Sequence, residues 1–167
     1  LDRSSAASDV YKRQTMGSDL VVGAAAALAI HDPPLIIIDM GTATTMTVID
    51  REARVLGGAI IPGVGISLEA LANGTSQLPH ISLDAPKKCI STDTVEAMRS
   101  GSVYGTAAML DGMIERMEAE LGEPAAVIAT GGLGGCIIPY CRREITYDKN
   151  LLLNGLWALY QKNKRKR

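Results

Sequence analysis

Phenylalanine is absent from the 167 residues, tryptophan occurs once, and aromatic side chains make up only 4%. The core must therefore be aliphatic, with the seven methionines as adaptable filler. Cysteine is scarce and odd in number: Cys89, Cys136 and Cys141, with no C-x-x-C pair. The five-residue spacing of Cys136 and Cys141 is poor for a metal, and the three read as buried or free thiols in a reducing cytosol rather than a metal or disulfide site. Excess charge of either sign is lacking too. Seventeen Lys and Arg stand against 18 Asp and Glu, a net charge of −1, which excludes a globally basic nucleic-acid binder. No apolar run approaches a membrane span, since the longest, Leu20–Ile30, stops at His31-Asp32-Pro33-Pro34. The N-terminus carries no apolar stretch of the signal-peptide kind. The expectation is a soluble cytoplasmic protein with neither nucleic acid nor membrane as partner.

Apolar residues reach 47% against 21% charged, which excludes a mostly disordered chain. The length suits about one domain with a core of its own. Residues 1–14, LDRSSAASDVYKRQ, are polar and without period, and resemble translated adapter sequence. They are read as a non-native tail, with 15–161 as the folded portion. Residues 162–167 hold five basic side chains in six and read as a solvated basic tail.

Ala-rich Ser18–Ile30 predicts a helix ended by Pro33-Pro34. Leu35–Asp39, Thr44–Ile49 and Val55–Ile61 predict an antiparallel three-stranded meander with short turns. A helix is predicted over Ile66–Leu71, closing near Asn73-Gly74, and an extended segment over Ser76–Ile90. Asp93-x-x-Glu96 has capping-box spacing and opens the longest predicted helix, 94–121. Met109, Met113, Met117 and Leu121 recur every four residues along it and are assigned to the core. Ala125–Ala129 predicts a strand, Leu133–Arg142 a helix, and Leu151–Gln161 a last helix with Leu152, Leu156, Leu159 and Tyr160 as its apolar stripe. Gly101-x-x-x-Gly105 suits close packing against another helix, within or between subunits. His31 and His80 lack partners at catalytic spacing and are read as structural.

Four segments carry candidate chemistry. Asp39-Met40-Gly41-Thr42-Ala43-Thr44-Thr45 joins two predicted strands. A glycine there lets backbone approach a phosphate, Thr hydroxyls and N–H groups can bind its oxygens, and Asp39 can hold a cation or its water. An ordinary polar hairpin fits the same residues. Thr130-Gly131-Gly132 follows a strand at a predicted helix start, which suits a nucleotide or simply a turn that needs glycine. Asp19, in Gly17-Ser18-Asp19-Leu20, can serve as a general base toward a substrate hydroxyl or as a helix N-cap. Thr94 lies in the first turn of the long helix, where its hydroxyl and free N–H groups can take a carboxylate or simply cap.

Together these segments resemble type III pantothenate kinase, from about Met16 to Lys162. GSDL corresponds to the family's G-x-D-R motif and DMGTATT to D-x-G-T-A-T. GGAIIPG matches the stretch that follows, TDTVEAMRSGSVYG the N-T-x-x-A-M-x-S-G segment, and ATGGLG the late nucleotide-binding glycines. The resemblance implies an α/β, actin-like ATPase fold of the sugar kinase, chaperone and actin superfamily, ribonuclease H-like. It implies phosphorylation of the 4′-hydroxyl of pantothenate by ATP, the first step of coenzyme A synthesis, with Mg2+ and a monovalent cation (K+ or NH4+), in a homodimer. By the same resemblance Asp19 is the proton acceptor, and Gly17, Ser18 and Leu20 line the pantothenate site with it. Thr94 reaches pantothenate across the dimer interface, Asp39 holds the monovalent cation, and Gly41, Thr42, Gly131 and Gly132 contact ATP.

Three departures stand out. Leu20 occupies the place of a family Arg that could pair with the pantothenate carboxylate. Asp93 replaces an Asn that also caps. The family's D-x-G-N-T phosphate loop has no counterpart here, which implies a C-terminal portion that is inactive alone. A kinase-like regulatory or binding protein, and a kinase of the same superfamily acting on another small hydroxyl substrate, are the alternative readings.

Overall fold

The computed structural model describes residues 18–164, in two compact units. In one, helix α1 (Ser18–Ile30) packs against helix α5 (Leu151–Lys164). The contact is made by small residues: Ala26 and Ala27 are fully buried, and a Cβ at position 155 would overlap Ala26. Gly155 thus lets the two backbones close. The apolar stripe expected on α5 is corrected accordingly. Leu151 and Gly155, four apart, face inward, whereas Leu152, Leu156 and Tyr160 are exposed. The side chain of Leu159 lies outside the described residues. The helix also runs on through Lys164, past the expected end at Gln161.

Residues 32–150 form the second unit, built on a five-stranded sheet. The strands are β1 (Leu35–Met40), β2 (Ala43–Ile49), β3 (Val55–Pro62), β4 (Ala126–Thr130) and β5 (Thr146–Tyr147), in the order β3-β2-β1-β4-β5. β1, β2 and β3 are the expected antiparallel meander, while β4 joins β1 and β5 joins β4 in parallel. β1 is the central strand, which explains its unbroken Leu35-Ile36-Ile37-Ile38 run: a strand covered on both faces needs no alternation.

Ile36, Ile38, Met40, Met46, Val48, Val127 and Ala129 face the main core. Against it lie α2 (Val64–Gly74) and the 28-residue α3 (Thr94–Leu121). The inward stripe of α3 is Met98, Val103, Ala107, Leu110 and Ile114, at helical spacing of three to five. Each fully buried Leu, Ile or Val there contributes about 1.5–3 kcal/mol relative to exposure. Met109, Met113 and Met117 are half-buried along its flank, packed against the core rather than inside it.

The N-terminus of α3 is capped as its sequence predicts, by the Asp93 carboxylate accepting the Glu96 N–H at 3.0 Å. The reciprocal half of the box is diverted. The Glu96 carboxylate instead accepts the Lys87 N–H at 3.3 Å and an Arg99 N–H at 2.8 Å, tying the irregular segment before α3 to the helix. Gly122, at φ 81°, closes the other end. The helix expected over Leu133–Arg142 is a single turn, α4 (Gly134–Ile137), followed by a 3-10 turn over Ile138–Tyr140. Gly134 and Gly135 weaken the helix and Pro139 ends it. Among the described helices none is long and apolar enough to cross a membrane.

Candidate active site

The β1–β2 hairpin turns through Gly41 and Thr42, both exposed, with the Gly41 N–H donating to the Ala43 carbonyl at 3.1 Å. At the end of β1, Asp39 pairs with Thr45 on β2 and Thr130 on β4. Residues paired directly across strands share a sheet face. The half-buried Asp39 carboxylate therefore sits in a row between two threonines. β4 leads straight from Thr130 into Gly131, whose φ of +95° strongly favours glycine. A Cβ on Gly131 would lie 2.6 Å from the Met40 carbonyl carbon and oxygen. The two glycine-bearing loops thus meet at the ends of neighbouring strands β1 and β4.

Two supports escaped the sequence reading. A Cβ at Gly63 would lie 2.8 Å from the Gly41 carbonyl oxygen and overlap that of Thr42, so the chain entering α2 buttresses the hairpin turn. The Tyr147 hydroxyl donates to the Gly131 carbonyl at 2.8 Å, and its ring covers Gly134. The run of glycines in GGAIIPG was the available signal for Gly63. Nothing local marked Tyr147, because β5 is only two residues long.

Thr94 opens α3 just after the capping Asp93 and is exposed. It lines a groove of about 640 Å³ between α3 and α2, together with Ser67, Leu71, Gly101 and Gly105. Beta-carbons placed on Gly101 and Gly105 would meet nothing within 4 Å. The G-x-x-x-G face is therefore turned toward this groove, and no described helix of the chain packs on it. Ser18, Asp19 and Leu20 form the first turn of α1, in the two-helix unit. Gly17 lies outside the described residues, as do the side chains of Ser18 and Asp19.

The Asp39 carboxylate and its flanking threonines are hard oxygen donors. They suit an alkali or alkaline-earth cation, not zinc. Among the described residues no group of three His, Cys, Asp or Glu is positioned to hold a metal. A cation here would rest largely on backbone, hydroxyl and phosphate oxygens. The Gly41 turn and the loop after Gly131, where Gly41 and Gly132 are exposed and a Cβ on Gly132 would meet nothing within 4 Å, fit a phosphorylated nucleotide. Their fit owes nothing to a helix dipole, since α4 is one turn long.

A sheet of order β3-β2-β1-β4-β5 with an antiparallel meander and a parallel wing defines the actin-like, ribonuclease H-like class of α/β protein. A Campylobacter jejuni protein described as a conserved Baf family transcriptional activator has this fold. It aligns with a TM-score of 0.59 and 22% identity, over 84% of this chain and 63% of that one. The Alp12 filament structure aligns at 0.56 and 16% identity, over 87% and 52%. The family model described as type III pantothenate kinase matches residues 4–116. Two curated type III pantothenate kinases, from Exiguobacterium sp. and Exiguobacterium sibiricum, are 45% and 46% identical, over 93% and 89% of this chain. That of Rhodospirillum rubrum is 41% identical over 89%. The chain belongs to the type III pantothenate kinase family. It spans 61%, 58% and 58% of the lengths of these three relatives.

Proposed function

We propose that this chain is the C-terminal portion of a cytoplasmic kinase that transfers a phosphoryl group from ATP to the 4′-hydroxyl of pantothenate, opening coenzyme A synthesis. The observation that carries the reading is the junction of β1 and β4. There an acidic strand end, a Gly-Thr turn and a positive-φ glycine turn lie side by side. Phosphoryl transfer asks mainly for positioning and charge neutralisation, and these elements are suited to both.

In this reading Thr42, Gly131 and Gly132 hold ATP through backbone N–H groups and the Thr42 hydroxyl, while Gly41, whose N–H is taken by the Ala43 carbonyl, gives the close approach of the turn. Asp39 holds a monovalent cation, K+ or NH4+. Mg2+ enters with the nucleotide and neutralises phosphate charge. Asp19 takes the proton from the pantothenate hydroxyl, with Gly17, Ser18 and Leu20 beside the substrate. Thr94 serves the substrate of a second subunit in a homodimer. The open G-x-x-x-G face beside Thr94 supports that assignment, because a partner's helix can approach it closely. Leu20 cannot pair with a carboxylate as the family's Arg can, so pantothenate binding falls more heavily on Thr94 and the groove.

Mg-ATP titrated into the chain by calorimetry tests the reading without requiring turnover. Saturable binding that depends on K+ and weakens at least about ten-fold in Asp39→Asn is expected. Wild-type binding that ignores both K+ and the substitution overturns it. Saturable binding of both ligands without turnover, once the chain is joined to a half-domain carrying D-x-G-N-T, would favour the regulatory alternative.

A further inference from the structure

We infer that Tyr147 is a positioning residue for the nucleotide turn, a role that rests on the functional reading above. Its side chain brackets the loop after β4 from one side. At the loop's entry its hydroxyl donates to the Gly131 carbonyl at 2.8 Å. At the exit its ring lies on the backbone of Gly134, where a Cβ would overlap it, and 3.5 Å from a Cβ on Gly135. On another side the Met40 backbone of β1 fills the space that a Gly131 Cβ would take.

The bracket itself is anchored. Ala129 pairs with Tyr147, and the Asp148 N–H donates to the Ala129 carbonyl at 2.8 Å. Gly131 is thus held at its carbonyl by Tyr147, with Met40 backbone packed where a side chain would begin. Its positive φ is an orientation the unsupported chain would share among many others. A turn whose N–H groups must point at phosphate gains affinity when that orientation is fixed beforehand.

Tyr147→Phe removes the hydroxyl and keeps the ring over Gly134, so the fold is retained. Two measurements on the full chain test the role, with Tyr104→Phe on α3 as control. Amide exchange at residues 131–135 in the absence of nucleotide should accelerate several-fold in Tyr147→Phe and not in the control. The Kd for Mg-ATP should rise about five-fold, the weight of one net hydrogen bond, and stay at the wild-type value in the control. Faster exchange with unchanged Kd shows a merely structural tyrosine and overturns the inference. A raised Kd with unchanged exchange also overturns it, because the hydroxyl would then act on the nucleotide directly. If the wild-type chain itself binds no Mg-ATP, the functional reading fails and the role of Tyr147 falls with it. That outcome is distinguished by appearing before any substitution is made.

Discussion

Gly131 and Met40 lie so close that a single added carbon at Gly131 would stand 2.6 Å from the Met40 carbonyl. Two penalties coincide at this position: a left-handed φ of +95° and contact with backbone that cannot rotate away. Gly131→Ala is expected to cost about 2–4 kcal/mol, from strain and overpacking together. Gly132 next door has no positive φ, and a Cβ there meets nothing within 4 Å. Gly132→Ala should change stability by less than about 0.5 kcal/mol. Urea unfolding of the two variants checks the contrast, and equal losses would show that the junction of β1 and β4 is not so tight.

Acid should release two ion pairs in sequence with carboxylate protonation. The Arg54 guanidinium, hydrogen-bonded to Asp50 at 2.7 Å, holds that buried carboxyl below its ordinary 3.8. Arg99, and then the Lys87 N–H, hold Glu96 below 4.5. A depressed folded pKa means the native state binds fewer protons than the unfolded chain at acidic pH. The stabilisation is therefore complete above about pH 5 and is lost as pH falls through the folded values. Unfolding free energies measured from about pH 6 to about pH 2 should fall less steeply in Arg54→Ala than in the wild type. Parallel profiles would show that Arg54 does not tune Asp50.

The three thiols should separate by reactivity. Burial beneath α3, and then the nearby Asp111 carboxylate, push Cys141 up to about 12. Its thiol lies 4.0 Å from the Ala107 carbonyl and 3.9 Å from that of Ile137. Cys89 and Cys136 are exposed. Since the thiolate is the reactive form, a disulfide reagent at about pH 7.5 should modify two thiols quickly and the third only on unfolding. Rapid modification of all three would show that the segment after the 3-10 turn opens readily. Its clasp is specific: the Asp111 carboxylate accepts the Arg142 N–H at 2.9 Å and the Arg143 N–H at 3.0 Å.

Local sequence carried most of the sheet. The meander, the strand before Thr130 and helix 94–121 were readable because their apolar periods and caps are encoded within each segment. What escaped depended on partners distant in the chain. The stripe Leu152-Leu156-Tyr160 has helical spacing, yet α5 turns Leu151 and Gly155 inward because the Ala26 face of α1 admits only small residues. β5 is two residues long and has no period to detect. At the candidate site, Asp39, Gly41 and Gly131 were visible as turn chemistry. Their juxtaposition needed the β1–β4 pairing, and the supports from Gly63 and Tyr147 come from other elements altogether.

Asp19 and Asp39 are assigned different tasks, and kinetics can separate them. Joined to a half-domain carrying the D-x-G-N-T loop, the chain is expected to release ADP in a pantothenate-dependent manner. An amide cannot accept the substrate proton, so Asp19→Asn should lower kcat at least about 100-fold while leaving the Kd for Mg-ATP unchanged. Asp39→Asn weakens cation and nucleotide binding instead, so it should raise the apparent KM for ATP and blunt the response to K+. A variant at Asp19 with unchanged kcat would remove it from the proton-acceptor role. The Leu20→Arg substitution completes the set: restoring a guanidinium for the pantothenate carboxylate should lower the KM for pantothenate several-fold without moving that for ATP.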